Sequence, residues 1–185
     1  MSDKAHDWLT PNWPAPDWVR ACVTTRAGGV SQAPYDSFNL AAHVEDDPAA
    51  VAKNRQRLVS QLGCRPAWLQ QVHGVAVAEA DPEVVVEADA SWTATPGIAA
   101  TVMTADCLPV LFCDRAGTRV GAAHAGWRGL ANGVLEATLD ALTVEAQDTL
   151  VWLGPAIGPQ AFEVGAEVRE AFVAQHAQAA GAFMP

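Results

Sequence analysis

Three side chains in this sequence combine metal-binding or nucleophilic donor atoms with positions at the ends of strand-like runs. They are His73 in Gln71-Val72-His73-Gly74, Cys107 in Thr104-Ala105-Asp106-Cys107, and His124 in Ala122-Ala123-His124-Ala125-Gly126. Two imidazoles and one thiolate leave a fourth position open on a tetrahedral ion, which is the layout of a catalytic zinc rather than a closed structural one. The wide spacing matches no standard zinc motif. A second reading makes Cys107 a nucleophile with His124 as its base. A third makes Cys107 a small buried core residue and leaves the histidines unrelated.

Cationic and backbone donors accompany these residues. Arg128, two residues past Gly126 at a helix start, can meet an anion together with free backbone N–H groups, or can be an exposed helix arginine. Arg26, before Gly28-Gly29, has the same two readings. Gly154 to Pro159 allows close backbone approach to a ligand or forms a stiff strand-to-helix turn. Asp106 and Asp89 are candidates for supporting or proton-transfer groups, although isolated aspartates usually serve turns and caps. Trp127 can stack on a base, and Glu163 is either a helix N-terminal carboxylate or an acid/base group.

The elements that must position these groups can be read from patterning. Ile98–Met103, Leu108–Cys113 and Arg119–Ala123 are apolar runs, the last two joined by a turn at Asp114-Arg115-Ala116-Gly117-Thr118. The chain then turns through Gly126-Trp127-Arg128-Gly129 into one helix carrying Leu130, Val134, Leu135, Leu139 and Leu142. Residues 1–18, rich in Trp and Pro, form an irregular arm over the core. Val19–Thr25 is a strand. Asp46-Asp47-Pro48 caps a helix whose face is Val51, Leu58, Val59 and Leu62 and which Gly63 ends. Trp68–Val72 is a strand leading to His73, Val75–Ala78 continues it, and Val84–Val86 is short and apolar. Thr149–Leu153 is a strand, and a final helix holds Val164, Val168 and Phe172 at steps of four, a series that Gln175 can extend. Hairpins mixed with helices indicate an α+β fold with mixed sheets rather than a doubly wound parallel sheet.

Composition bounds the function. A chain of 185 residues with 50% hydrophobic residues suits one domain with a sizeable core. Its net charge of −10 argues against a nucleic-acid groove, and the apolar runs fall short of the ~20 residues that span a bilayer. The N-terminus lacks an apolar signal-peptide core, so the expected compartment is cytoplasmic. The four cysteines, Cys22, Cys64, Cys107 and Cys113, contain no CxxC pair and are expected as free thiols.

Several motifs occur together in a fixed order: Thr25-Arg26-Ala27-Gly28-Gly29-Val30-Ser31, Ser37-Phe38-Asn39-Leu40, Asn54-Arg55, Gln71-Val72-His73-Gly74, Ala88-Asp89-Ala90, Thr104-Ala105-Asp106-Cys107, Ala123-His124-Ala125-Gly126-Trp127-Arg128-Gly129 and Leu153-Gly154-Pro155-Ala156-Ile157-Gly158-Pro159. In these the chain resembles the bacterial YfiH family, related to the human laccase-domain protein of macrophages. The resemblance implies α/β/β/α layers, like a toxin deamidase with a Cys–His pair. It implies a zinc-type site of His73, Cys107 and His124, with copper as the alternative metal, and substrate or phosphate contacts from Arg26, Asn39 and Arg128. The implied activity is purine nucleoside phosphorolysis on adenosine, inosine and related nucleosides. Adenosine deamination and methylthioadenosine phosphorolysis are its companions. Copper-dependent polyphenol oxidase (laccase) chemistry, or a Cys–His thiol hydrolase, is the alternative. The implied partners are a nucleoside and phosphate, with no nucleic acid or membrane, in a monomer or weak homodimer. Residues 1–185 are expected to form a single domain lacking the family's usual C-terminal part, which carries a late Cys-Thr segment and a Phe-Ser-Tyr-Arg-Arg motif.

Overall fold

A computed structural model describes residues 7–184. Residues 1–6 of the expected N-terminal arm lie outside the described residues. From Asp7 to Trp18 the arm is irregular and rests on the body of the protein. The Trp8 ring lies 6.0 Å from that of Phe38, and Trp18 Nε1 donates to the Gly117 carbonyl at 3.3 Å. Val19–Thr25 is not a strand. Among the described residues its only ladder contact is an antiparallel bridge between Val23 and Leu9.

Helix α1 (Pro48–Leu62) follows from its ends. Asp47 accepts the Ala49 N–H, proline takes the first helical position where no N–H is needed, and Gly63 closes the helix at φ 67°. The buried stripe is Val51, Asn54 and Leu58, whereas Val59 is exposed. Asn54 is admitted to this face because its side chain is fully satisfied. Its Oδ1 accepts from Val30 N, and its Nδ2 donates to Ser31 Oγ and to the carbonyls of Ser37 and Asn39.

Among the described residues nine strands form three sheets. Parallel pairs join β1 (Arg65–Ala67) to β6 (Ile98–Ala100) and β2 (Leu69–Gln70) to β4 (Val86–Glu87). The main sheet has the order β3-β5-β8-β7-β9, with β3 Val77–Glu79, β5 Ala90–Thr93, β7 Leu108–Asp114, β8 Val120–Ala125 and β9 Thr149–Leu153. Only the β3–β5 pairing in it is parallel, so the sheets are mixed as expected. The Ile98–Met103 run is a strand only to Ala100, and β5, not anticipated from patterning, inserts between β3 and β8.

Both faces of β8 are covered, so it reads as small residues without alternation. Gly121, Ala122, Ala123 and Ala125 are all buried. Ala123 and Ala125 pack with Val110, Phe112, Ala90 and the helical residues Val134 and Leu142 into the core. The single helix expected after Trp127 is two, α2 (Trp127–Asn132) and α3 (Val134–Leu142), because Gly133 takes φ 95° between them. Contacts run from α1 to β1, from β1 to β6, from β6 to β5 and β8, and from those strands to α3. That is a helix–sheet–sheet–helix stack. The last helix, α4, spans Ala166–Gln175, two residues later than its apolar pattern suggests, with Val168 buried.

Candidate metal centre

The β7–β8 register places two of the three donors. Leu108 lies opposite Ala125 and Pro109 opposite His124, so Cys107, just before β7, meets Gly126, just after β8. His73 arrives from a separate loop, and two side chains hold that loop. Gln71 grips the Met103 backbone, donating from Nε2 to its carbonyl (2.8 Å) and accepting its N–H on Oε1 (2.7 Å). This ties the His73 loop to the segment that leads into Cys107.

Asp89 does the rest. It is 0% exposed, and its Oδ2 accepts the amides of Val72 (3.1 Å) and Gly74 (2.6 Å). Its Oδ1 accepts the His73 amide (2.9 Å) and His124 Nδ1 (2.8 Å). Burial pushes this carboxyl up, but the hydrogen bonds from His124, Gly74, Val72 and His73 outweigh it and hold it below the ordinary carboxylate range. The same carboxylate steadies His73 at φ 61°, a left-handed conformation that non-glycine residues adopt at a cost.

The donor atoms of His73, Cys107 and His124 all lie within 4.8 Å of one another. His73 Nε2 is 3.9 Å from Cys107 Sγ, and the two imidazole rings meet edge to face with centroids 4.7 Å apart. A tetrahedral zinc with Zn–N near 2.0–2.1 Å and Zn–S near 2.3 Å separates its donors by about 3.3–3.6 Å. An inward movement of roughly 1 Å would therefore complete such a site. His124 is 4% exposed, and with Nδ1 donating to Asp89 its Nε2 lone pair is free for a metal, as a carboxylate–histidine–metal arrangement requires. Burial pushes the Cys107 thiol up, and the Asp106 and Asp89 carboxylates add to this. A bound cation would reverse that effect. These residues fit a metal ion.

Gly126 is required for space. A Cβ there would sit 2.7 Å from His73 Cδ2 and 3.2 Å from Cys107 Sγ. Gly126 and Gln71 lie in the same sequence motifs as the donors, but their residue types alone do not announce these roles. A glycine beside a candidate ligand is the signal that could have found the first.

The other candidates have partners of their own. Arg26 is exposed and pairs with Asp36, donating to its carboxylate (3.2 Å) and carbonyl (2.7 Å). Asn39 donates to Asp46 (2.8 Å) and exchanges hydrogen bonds with the Ala41 backbone. Arg128 is exposed, with its guanidinium 4.4 Å from the Trp127 ring centroid. Among the described residues no hydrogen bond or ion pair joins Arg26, Asn39 or Arg128 to His73, Cys107 or His124. The Gly154–Pro159 loop does approach the Cys107 segment, through Gly154 N to Pro109 O (2.8 Å) and Ile157 N to Asp106 O (2.9 Å). Glu163 is exposed, in the loop before α4.

Comparison with known proteins places this centre in context. The family model described as multi-copper polyphenol oxidoreductase laccase matches residues 20–185. A Pseudomonas aeruginosa protein named purine nucleoside phosphorylase is 72% identical over 178 residues, covering 96% of this chain and 74% of that protein. The Escherichia coli purine nucleoside phosphorylase YfiH is 56% identical over 180 residues, covering 95% and 74%. Among solved structures, Neisseria meningitidis protein NMB0706 superposes with a TM-score of 0.94 at 51% identity, covering 97% of this chain and 75% of its own. Bacillus licheniformis hypothetical protein YfiH gives a TM-score of 0.86 at 26% identity, covering 98% and 74%.

Proposed function

The chain belongs to the multi-copper polyphenol oxidoreductase laccase family, the family that includes proteins named YfiH, and from that premise we propose that it is a purine nucleoside phosphorylase using a zinc centre. The observation that carries the proposal is the convergence of His73, Cys107 and His124, with donors within 4.8 Å, in a chain 72% identical to a protein named for this activity. The proposed substrates are adenosine, inosine and related nucleosides. Methylthioadenosine phosphorolysis and adenosine deamination are companion activities at the same centre.

In phosphorolysis, phosphate attacks the ribose C1′ while the glycosidic bond breaks, so the protein must place an anion beside a sugar that gains positive charge. A zinc held by His73, Cys107 and His124 would supply a Lewis acid at that centre. Asp89 keeps the proton on His124 Nδ1 and holds the His73 backbone in place, so both rings are fixed before substrate arrives. His73 is the exposed member of the three and His124 the buried one, so substrate enters from the His73 side. Arg26, Arg128 and Asn39 are assigned to phosphate and nucleoside binding, with Trp127 as a stacking surface. Asp106, whose carboxylate bears on the Cys107 thiol, is assigned to proton transfer with the leaving base.

A second reading has one observation in its favour. Asp89 orients His124 as the third member of a Cys–His–Asp nucleophilic triad does. Against it, burial raises the Cys107 thiol, which leaves little of the thiolate that such a mechanism needs. As for multi-copper oxidation, among the described residues only one group of three or more potential ligands forms, enough for one ion.

Product chromatography after incubation with inosine or adenosine, with and without phosphate, tests the proposal. Phosphate-dependent release of the free base, lost in Cys107→Ser together with bound metal, is the expected result. Base release without phosphate would replace phosphorolysis with hydrolysis, and a substrate-derived mass on Cys107 in metal-free protein would replace the metal centre with the thiol mechanism.

A further inference from the structure

We infer that a cavity beside the first turns of α1, built on Arg55 and Asp46, is a second ligand site for a small anion that also carries hydroxyl groups. The choice of a pentose phosphate as that ligand rests on the phosphorolysis reading, since it is the class of product such a reaction releases. The geometry of the site does not depend on that reading.

Arg55 is a cation held ready in one orientation. Its Nε donates to the Leu40 carbonyl at 2.8 Å, and its guanidinium lies 3.9 Å from the Trp68 ring centroid. The plane of the fork is therefore fixed at one nitrogen and one face, with both Nη groups left over. Among the described residues no carboxylate forms an ion pair with it, in a chain with 21 acidic and 11 basic residues. Burial with no compensating anion pulls its pKa below the ordinary arginine value. Arg26, beside Asp36, and Arg128 are both exposed to solvent, whereas the Arg55 guanidinium is half-buried.

The cavity that Arg55 lines measures about 190 Å³, with Val44, Pro48, Val51 and Asp46 among its walls. That is below the roughly 300 Å³ at which drug-sized sites begin, so its occupant is small. Asp46 is held by Asn39 Nδ2 on Oδ2 (2.8 Å) and by the Asp47 amide on Oδ1 (2.8 Å), with the Ser31 hydroxyl as a third donor, which leaves its carboxylate capacity for a further hydroxyl. The Asn39 side chain thus positions one wall of this cavity.

Guanidinium and carboxylate face one cavity without pairing with each other, and that selects the ligand. A bare anion satisfies Arg55 but meets the Asp46 charge. A bare cation has the opposite fault. A phosphorylated polyol places its phosphate on the fork, donates hydroxyl hydrogens to Asp46, and rests its carbon skeleton on Val44 and Val51.

Isothermal titration of the whole chain with ribose 5-phosphate, ribose, inorganic phosphate and alanine tests this. Saturable binding of ribose 5-phosphate is expected, with each other probe at least tenfold weaker. Arg55→Gln and Asp46→Asn should each weaken it about tenfold or more, the loss of one charged contact, while His73→Ala leaves it unchanged. If Arg55→Gln does not fold by circular dichroism, Asp46→Asn carries the test. Absence of saturable binding, equal affinity in both variants, equally tight alanine or inorganic phosphate, or loss of binding in His73→Ala would overturn the site. A protein that binds ribose 5-phosphate in this pattern yet releases no base from inosine keeps the site and loses the phosphorolysis reading.

Discussion

Replacing Asp89 by asparagine isolates what its charge does. The carboxylate serves two pairs of donors, His73 N and His124 Nδ1 on Oδ1, and Val72 N and Gly74 N on Oδ2. Asparagine has one oxygen, so one pair loses its acceptor. If the amide nitrogen replaces Oδ2, two buried N–H groups face an N–H₂. If it replaces Oδ1, only the His73 amide is stranded, because His124 can move its own proton to Nε2 and accept on Nδ1. The second arrangement strands fewer donors and is therefore the one expected. One unsatisfied donor costs ~1–3 kcal/mol, and exchanging charged for neutral hydrogen bonds adds ~1 kcal/mol. The sum, about 3 kcal/mol, corresponds to a fall in Tm of about 6–12 °C for a chain of this size. The relocated proton occupies the nitrogen that a metal needs, so zinc affinity should fall by about 10–100-fold. Calorimetry gives the first quantity and competition with a chromophoric chelator the second. A variant that melts within about 2 °C of the parent and binds zinc within about twofold would refute the reasoning, since neither the nest of amides nor the tautomer would then depend on the charge.

Three further outcomes are expected. Gly126→Ala should cost about 1–3 kcal/mol from overpacking and weaken zinc binding about tenfold or more, because its Cβ would displace His73; unchanged zinc titration would remove the steric account. Asp114→Ala should cost about 2–4 kcal/mol in urea unfolding, since Asp114 accepts from Thr118 N, Thr118 Oγ1 and Arg119 N. Burial pushes the Asp114 carboxyl up, but those bonds leave it below the ordinary carboxylate value, so its contribution is complete above pH ~4 and disappears as pH falls through the depressed folded value. Parent and variant stabilities should accordingly converge in strong acid, and a constant gap down to pH ~2 would contradict this. Asn54→Ala removes four hydrogen-bond partners, with an expected cost of about 3–4 kcal/mol and faster proteolytic cutting between Arg26 and Leu40; cutting at the parental rate would show that Asn54 does not hold that loop.

Local chemistry made some elements readable and left others hidden. Helix α1 was legible because Asp47, Pro48 and Gly63 act within a few bonds of the backbone they cap, and the β7–β8 hairpin because Asp114 and Gly117 build its turn. Val19–Thr25 had strand-like residues but only Leu9 to pair with, and ladder partners are not written in a strand's own sequence. β5 was missed for the opposite reason, since Ala90 and Ser91 carry weak strand preference and owe their place to β3 and β8. Gly133 lay inside an unbroken leucine stripe, which concealed the left-handed turn. At the candidate site, residue type and order pointed to His73, Cys107 and His124 through family resemblance, not through spacing. Asp89 was visible only as an acid in a motif. Its four donors come from residues distant in sequence, and only the folded chain brings them together.

The Asp89 nest also sets how the loop that bears His73 opens. Val72 is well exposed and the loop lies outside the main sheet, features that ordinarily go with rapid amide–solvent exchange. Yet the N–H groups of Val72, His73 and Gly74 all end on a carboxylate that water does not reach. Their deuterium uptake must wait for an opening that takes them off Asp89 and exposes that buried carboxylate. These three amides should therefore exchange more slowly than those of other exposed loops, because leaving Asp89 uncovers a buried charge.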